Sequence, residues 1–289
     1  MDASPSLEPT ELSAALEARG LRCAGRYARS VTASLERVWE NVLDWEHLPW
    51  LHASAFASIE RLESGRWGWR ARVVPRRAGG SARSQVIEVR IERERARYVS
   101  ATVEGPGSGT EIWTQLRVLG PDCTGVEVQF WVPEREPARL ASLGRSLVGV
   151  YERLWDEDEH MMMRRSAELA ARQRESAAGP LELALGPLEA LRARLPVRVE
   201  LGGRGFRIVE VRGELFAHAT RCPHLLGPLE EAPVEADCSI RCPWHGYRFD
   251  VRTGASLDGR RLRLAPSARV DVDPLSGEVV LRVQDPGAP

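Results

Sequence analysis

Alternating apolar and polar positions recur in short runs through the first half of the chain. Because side chains in a strand point to opposite faces in turn, each run predicts a strand with one buried face. Trp67, Trp69, Ala71 and Val73 share such a face in the first run. Glycine, proline or charged turns separate the runs, and this spacing predicts an antiparallel, strongly curved sheet. The predicted strands are residues 67–73, 86–91, 98–103, 111–118 and 125–132.

Helical periodicity occurs on either side of these strands. A brief strand at residues 26–32 leads to Ser34, a suitable N-cap for a helix at residues 35–48. Apolar residues recur there at helical spacing, and Pro49 is expected to end the helix. A much longer helix is predicted at residues 138–173. The pattern therefore predicts a curved sheet closed by a long helix.

The C-terminal part of the chain contains short alternating runs joined by tight turns. Arg212 and Gly213 form one predicted hairpin turn, and residues 274–277 form another. The predicted strands are residues 197–200, 207–211, 215–219, 270–272 and 279–283. This pattern is typical of a small all-β domain.

These patterns divide the chain into four segments. Residues 1–23 are a polar arm, residues 24–176 the helix-and-sheet domain, residues 177–196 a linker, and residues 197–289 the all-β domain. A chain of 289 residues is long enough for two domains with cores of their own. The predicted fold class is therefore α+β.

Charge and composition limit the classes of function. Acidic (41) and basic (40) residues nearly cancel, so a formal charge of −1 predicts no nucleic-acid partner. No apolar run approaches the length of a membrane span, and the N-terminus lacks the basic and apolar regions of a signal peptide. Cysteine is scarce, at five residues, as is usual where thiols stay reduced. We therefore expect a cytoplasmic protein without a membrane partner.

Four residues of two metal-binding types, cysteine and histidine, lie in two short segments near the C-terminus. Cys222 and His224 flank one proline, and after seventeen residues Cys242 and His245 flank a proline and a tryptophan. Each segment offers one thiolate and one imidazole, as a two-iron cluster with mixed ligation requires. The same four side chains could hold a structural zinc ion in a tetrahedral site. The ligand types and their order favour the cluster.

The run from Gly246 to Asp250 extends this motif, and the whole segment resembles the Rieske [2Fe–2S] family. Gly227 and Trp244 stand where respiratory Rieske domains carry two further cysteines, so the resemblance is to the oxygenase and ferredoxin types. It implies that Cys222, His224, Cys242 and His245 bind a [2Fe–2S] cluster. Such a cluster relays electrons, which an external reductase or ferredoxin would supply.

A second constellation lies at the end of the first helix, where Asp44, His47 and His52 follow one another at spacings of three and five. His47 lies one turn beyond Asp44, and Pro49 bends the chain so that His52 can return toward the same point. Two neutral imidazoles suit Fe(II), and a carboxylate would complete a facial triad. The alternative is that both histidines are ordinary pocket residues.

The long helix supplies a candidate for that carboxylate. Its apolar stripe is interrupted at Asp158, and a buried acid needs a partner. Asp156, Glu157 and Glu159 are expected to be solvated instead. His160, two positions from Asp158, is expected to face away from the site.

The order of strand, helix, curved sheet and long helix resembles the helix-grip fold of the START/SRPBCC superfamily, on which Rieske oxygenases build their catalytic domains. The Asp44, His47, His52 pattern resembles theirs as well. The resemblance implies mononuclear Fe(II) on His47, His52 and Asp158, with Asp44 bridging a cluster histidine and an iron histidine. It further implies O2 and an apolar small molecule, aromatic molecules included, as substrates.

The domain order departs from that family, because the cluster motif comes last in this chain. The family implies a homotrimer with electron transfer between subunits, whereas the linker here would also allow transfer within one chain. The rival hypothesis is a Rieske electron-transfer module fused to a START-like ligand-binding domain with no second metal.

Overall fold

The computed structural model describes residues 9–76, 83–173, 181–265 and 268–283. The chain forms two compact units, Met1–Met163 and Arg164–Pro289. The boundary falls inside the long helix rather than after residue 176, where the sequence placed it. The physical reason is electrostatic: Arg164 pairs with Glu230, and Glu168 pairs with Arg221, so the last turns of this helix belong to the second unit.

The described residues of the first unit form one antiparallel sheet, three shorter helices and most of one long helix. The sheet has seven strands in the order β1-β7-β6-β5-β4-β3-β2. The elements are α1 (Pro9–Ala18), β1 (Arg22–Val31), α2 (Leu35–Leu43), α3 (Leu48–Leu51), β2 (Phe56–Gly65), β3 (Gly68–Pro75), β4 (Gln85–Glu92), β5 (Arg97–Glu104), β6 (Glu111–Gly120), β7 (Cys123–Val132) and α4 (Pro137–Gln173). Each strand pairs with its neighbour in sequence, except that β1 closes against β7.

Helix α4 packs its apolar face into the concave core of this sheet. Trp155 and Met162 are buried there with Phe130 of β7 and with Trp39 of α2. Close approach to β1 depends on Gly144, because a Cβ at that position would lie 2.0 Å from the Ala24 carbonyl oxygen. The arrangement is a helix-grip, and the predicted α+β fold class is confirmed.

The N-terminal arm contains a helix that packs on the outer end of the sheet. Leu16 of α1 is buried with Leu21 against Trp131. Arg19 also pairs with Glu111, whose side chain is almost fully buried. The predicted arm at residues 1–23 thus includes the start of β1, and residues 1–8 lie outside the described residues.

The helix predicted at residues 35–48 is wrong at its end. Helix α2 stops at Leu43, because Asp44 has a non-helical backbone (φ −87°, ψ 85°). A single 3-10 turn, Trp45–His47, follows, and Pro49 then lies in the first turn of α3, where a missing N–H costs nothing. The bend that the sequence assigned to Pro49 therefore occurs at Asp44.

Strand β2 was not predicted. Most of its side chains are exposed, and two irregularities in its pairing with β3 interrupt the alternation. A strand with little buried surface leaves a weak period-two signal.

The second unit is an all-β domain built from three small sheets. Their orders are β11-β10-β9, β12-β13 and β14-β15-β8. The elements are β8 (Glu182–Pro187), α5 (Leu188–Arg192), β9 (Val197–Leu201), β10 (Arg204–Val211), β11 (Glu214–Ala219), β12 (Ser239–Arg241), β13 (Arg248–Asp250), β14 (Ala268–Val272) and β15 (Glu278–Val283). The hairpin turn at Arg212 and Gly213 is confirmed, with φ values of 53° and 84°.

The segment interpreted as a linker at residues 177–196 is largely part of this domain. Strand β8 pairs with β15, and Leu185 and Leu191 are buried in the same core as Phe206 and Leu281. Its glycine and proline content hid a short strand, whereas a helical turn at residues 188–195 is expected from the sequence and α5 occupies that position. Residues 177–180 lie outside the described residues. Among the described helices, none is both long and apolar enough to cross a membrane.

Candidate metal centres

Two loops with the same backbone pattern present the cysteine and histidine side chains of the second unit. In the first loop the Cys222 N–H donates to the Gly227 carbonyl, and the Leu226 N–H donates back to the Cys222 carbonyl. In the second loop the Cys242 N–H donates to the Tyr247 carbonyl, and the Gly246 N–H donates back to Cys242. Each cysteine therefore begins an equivalent, internally hydrogen-bonded turn.

The equivalence extends to backbone conformation and packing. Leu226 and Gly246, each four residues after the cysteine, both have positive φ (64° and 68°). Gly227 is required for space, since a Cβ there would lie 2.7 Å from the Cys242 sulfur and 3.1 Å from the Trp244 ring. The two loops consequently close tightly around the space between their four ligand side chains.

The four candidate ligands lie together; three of them are buried, and His224 is half-buried. Cys222 and Cys242 are fully buried and His245 is nearly so. The rings of His224 and His245 are 4.5 Å apart between centroids. Hydrogen bonds from Cys222 and His245 hold the pKa of the Cys242 thiol below its usual value, despite burial. Two sulfurs and two imidazoles brought together in this way fit a cluster with mixed ligation.

The second candidate centre lies in the first unit, where α2 gives way to α3. Helix α2 ends at Leu43, and the chain then turns so that His47 and His52 face Asp158 on α4. The Nε2 atom of His47 is 3.5 Å from the Asp158 Oδ1 atom, and the Nε2 atom of His52 is 3.1 Å from it. All three side chains are buried, and one ligand atom from each lies within 4.8 Å of the others.

The other ring nitrogen of each histidine faces a second carboxylate. The Nδ1 atom of His47 lies 3.6 Å from an Asp44 oxygen, and the Nδ1 atom of His52 lies 2.6 Å from a Glu157 oxygen. Histidines that bind metals usually have such a partner, which fixes the ring and its tautomer. The expectation that Glu157 is solvated is therefore wrong.

Asn41 is a further member of the site that the sequence analysis missed. Its Nδ2 atom donates to Asp158 Oδ1 over 2.8 Å, and the side chain is buried. Asn41 lies three residues after Val38 on the apolar face of α2. A polar residue on a buried helical face was the signal that could have identified it.

The other charged neighbours of Asp158 on α4 behave differently. Glu159 pairs with Arg29 and accepts a hydrogen bond from the Thr32 N–H, so the expectation of a solvated Glu159 is also wrong. Asp156 is largely exposed and reaches Arg29 at its tip. His160 is exposed, and it faces away from the site as predicted.

Asp158 and His52 shift each other's pKa values in opposite directions. Burial acts to raise the pKa of Asp158, but the facing His52 and His47 and the Asn41 hydrogen bond hold it below its usual value. Burial likewise acts to lower the pKa of His52, but Asp158 and Glu157 raise it overall. A divalent cation bound at this site would take over from the His52 proton, because the cation also compensates the charge of the Asp158 carboxylate.

A cavity of about 120 Å³ opens beside the three candidate ligands. Its wall is mostly apolar and aromatic, and Tyr98, Ser100 and Tyr151 contribute hydroxyls. Burial raises the pKa values of both tyrosines far above the ordinary range, so their phenols stay protonated. The apolar residues lining it are Val42, Leu48, Phe56, Trp69, Ile87, Val89, Leu154 and Trp155.

Comparison with known proteins assigns the C-terminal centre. Residues 182–267 match the family profile of the Rieske [2Fe-2S] domain. This part of the chain is a Rieske domain. The match begins at β8, in agreement with the pairing of that strand, and it includes both ligand loops. A Rieske domain carries a [2Fe–2S] cluster and transfers electrons.

Curated relatives match the Rieske domain over short stretches. The ferredoxin component of the naphthalene 1,2-dioxygenase/salicylate 5-hydroxylase systems of Ralstonia sp is 36% identical over 61 residues, covering 21% of this chain and 58% of that protein. The ferredoxin component of the p-cumate 2,3-dioxygenase system of Pseudomonas putida is 38% identical over 66 residues, covering 23% and 52%. Apoptosis-inducing factor 3 of Mus musculus is 39% identical over 56 residues, covering 19% and 9%. The chain thus spans less than two thirds of each of these relatives.

Solved structures resemble the two parts of the chain separately. The ferredoxin of carbazole 1,9a-dioxygenase from Nocardioides aromaticivorans has a TM-score of 0.31 at 24% identity, covering 36% of this chain and all (100%) of its own. The Zhui aromatase/cyclase from a Streptomyces species has a TM-score of 0.44 at 16% identity, covering 50% and 96%. A START superfamily protein from Mycobacterium smegmatis has a TM-score of 0.39 at 20% identity, covering 47% and 97%.

Proposed function

We propose that this chain is a Rieske-type non-haem iron oxygenase component. Electrons would enter the [2Fe–2S] cluster of the Rieske domain from an external reductase or ferredoxin. They would then pass to an Fe(II) ion held by His47, His52 and Asp158. Iron in such a site supplies the activation of O2 for attack on an organic substrate. The direction of electron flow follows from the cluster's role as a relay.

The observation that carries this proposal is the arrangement around Asp158. Two imidazoles direct Nε2 toward one buried carboxylate, and the ligand atoms of all three residues lie within 4.8 Å of one another. A carboxylate faces the Nδ1 atom of each ring. This is the donor set of the facial triad, with the supporting partners that metal-binding histidines commonly have.

The remaining residues of the cavity have roles that suit an apolar substrate. The aromatic and aliphatic wall would bind the substrate by burying its surface and would exclude water from the reacting centre. Tyr98 and Tyr151 remain protonated and can donate hydrogen bonds to a polar atom of the substrate. Asp44 would orient His47 through its Nδ1 atom and, in an assembled protein, would connect that ring to a cluster histidine.

The assembly is part of the proposal. A homotrimer in which one subunit's cluster serves the next subunit's iron is the arrangement that the resemblance implies. Transfer within one chain is the alternative that the reversed domain order allows. A size measurement on cluster-loaded protein distinguishes a trimer from a monomer.

A second candidate function has its own support. Asp158 already accepts hydrogen bonds from Asn41 and has His52 within hydrogen-bond distance, so the site satisfies its buried charge without metal. The curated relatives named above include two ferredoxin components. On this reading the chain is an electron-transfer module joined to a ligand-binding domain.

Iron content separates the two functions. Anaerobically reconstituted protein should hold about three irons per chain if both centres are loaded, and about two if only the cluster is present. His52→Ala should lower the count by one while the cluster's visible absorption is unchanged. His160→Ala, on the exposed face of the same helix as Asp158, is the matched control and should keep all the iron. A plateau at two irons in the unaltered protein would reject the oxygenase proposal.

A further inference from the structure

A second cavity, of about 290 Å³, lies in the Rieske domain. It is bounded by strand β11, by the turn that follows β13 and by strand β14. None of the four cluster ligands lines it. The lining residues are Leu215, Phe216, Ala217, His218, Ala219, Val251, Arg252, Thr253, Gly254, Arg263, Leu264, Ala268, Arg269 and Val270.

The charge of this lining has one sign. Arg252, Arg263 and Arg269 contribute cations, and the described lining residues include no acidic side chain. Asp250 pairs with Arg252, and Asp271 pairs with Arg269. Among the described residues, no acidic side chain pairs with Arg263. The positive charge of Arg263 is therefore available to an anion entering from solvent.

His218 adds a buried acceptor to the same lining. Its Nδ1 atom lies 3.0 Å from the Ala219 carbonyl oxygen, which can only accept, so Nδ1 carries the hydrogen and Nε2 has a lone pair. The side chain is 2% exposed, and Nε2 has no hydrogen-bond partner within the described part of the chain. Burial, with Arg207 nearby, lowers the pKa of His218 to about 4, which keeps the ring neutral near pH 7. Buried polar atoms normally have a partner, so this nitrogen indicates one that the protein does not supply.

The rest of the wall is apolar. Phe216, Val251 and Leu264 offer carbon surface between the arginines and His218. An inorganic anion would leave this surface uncovered, whereas an organic acid would bury its carbon skeleton against it.

We propose that this cavity binds a small organic anion that also carries a hydroxyl group. The carboxylate would bind Arg263, and the carbon skeleton would pack against Phe216, Val251 and Leu264. The hydroxyl would donate a hydrogen bond to Nε2 of His218, which is buried in this structure and would become accessible through a small shift of the ring. This site is separate from the candidate iron centre, and it does not depend on the oxygenase proposal.

Three probes test each part of this proposal on the full, cluster-loaded chain. 4-Hydroxybenzoate has the charge and the hydroxyl, benzoate lacks the hydroxyl, and 4-hydroxybenzyl alcohol lacks the charge. Calorimetric titration should give saturable binding that is tightest for 4-hydroxybenzoate. Arg263→Gln should weaken that binding about tenfold, because a charge-assisted hydrogen bond is lost. The same variant should leave the alcohol unaffected.

Two further variants make the assignment specific. His218→Phe keeps a ring of similar size but removes the acceptor, so 4-hydroxybenzoate should then bind no better than benzoate. Arg261→Gln is the matched control, since Arg261 is close in sequence but does not line the cavity. The visible spectrum of the cluster reports whether each variant keeps the folded Rieske domain. Absence of saturable binding, or equal losses in the Arg261 and Arg263 variants, would overturn the proposal.

Discussion

Glu157 and Asp158, adjacent on helix α4, lie at opposite nitrogens of the His52 ring. The Glu157 carboxylate is 2.6 Å from Nδ1, and the Asp158 carboxylate is 3.1 Å from Nε2. Consecutive helical residues are separated by about 100° around the axis, so the two carboxylates project in different directions. The His52 ring lies between them. A single short stretch of helix thus fixes the orientation of the ring.

Removing the Glu157 carboxylate should weaken iron binding without abolishing it. Partners of metal-binding histidines typically contribute about tenfold to a hundredfold in affinity. We therefore expect Glu157→Ala to raise the Fe(II) dissociation constant by that factor, and Glu157→Gln, which can still accept a hydrogen bond, to raise it less. Anaerobic titration of cluster-loaded protein measures both. Asp156→Ala is the control, because Asp156 is largely exposed; an equal loss in that variant would contradict the role assigned to Glu157.

Replacing Asp158 should have a larger effect than replacing Glu157. Asp158→Ala removes one of three candidate ligands and the group that His47, His52 and Asn41 all face. We expect complete loss of the mononuclear iron, while the visible spectrum of the cluster in the Rieske domain stays unchanged. Metal analysis and absorption on the same sample test both statements. If Asp158→Ala retained its iron and Glu157→Ala lost it, the two roles on α4 would have to be exchanged.

Asp44 is expected to affect electron transfer more than metal binding. It lies 3.6 Å from Nδ1 of His47, on the ring edge away from Asp158. Asp44→Asn keeps the size of the side chain but removes its charge. We expect both metals to remain and single-turnover oxidation of the cluster to slow sharply. Normal transfer with both metals present would show that Asp44 is only the C-cap of α2.

The Rieske domain should lose stability as the pH falls below neutrality, because of His218. Burial lowers the pKa of His218 from 6.5 to about 4 in the folded state. Between these values the unfolded chain binds a proton that the folded chain does not, so the stabilisation is complete above pH 6.5 and declines toward pH 4. The linkage relation gives a loss of about 3 kcal/mol over the whole window.

Denaturant unfolding of wild type and His218→Phe, followed by the absorption of the cluster, measures this contribution. The variant should show a shallower fall in stability between pH 6.5 and pH 5 than wild type. Comparing two cluster-loaded proteins removes the acid sensitivity of the cluster itself from the difference. Parallel pH profiles would mean that His218 titrates normally in the folded domain.

Local pattern was sufficient for the elements with a buried face, and it singled out the residues whose roles as metal ligands stay predictions. Strands β3 to β7 and helix α4 were found because burial on one face leaves a clear period. Asp158 was found because it interrupts an apolar stripe. The ligand loops were found because the spacing of their cysteines and histidines along the chain resembles that of the Rieske motif. These residues are Cys222, His224, Cys242 and His245.

What the sequence did not reveal depends on tertiary contacts. Glu157 is a surface position by helical phase, and only the path of the chain from Asp44 to His52 brings a ring within its reach. Strand β8 contains a glycine and a proline, and its membership of the Rieske domain depends on pairing with β15, almost a hundred residues later. Asn41 could have been found in part. Its position on the buried face of α2 follows from the sequence pattern, but its hydrogen-bond partner, Asp158, does not.

The matching turns at Cys222 and Cys242 have a consequence for how the Rieske domain holds together. In a cluster with two sulfur and two imidazole ligands, one iron takes both cysteines and the other takes both histidines. Each iron then joins the two loops, so the cluster acts as a double cross-link between segments some twenty residues apart. Loss of one ligand leaves the other iron still spanning the gap, whereas loss of the cluster frees both loops at once. Departure of the whole cluster should therefore report the opening of this end of the domain, because only that step frees both loops.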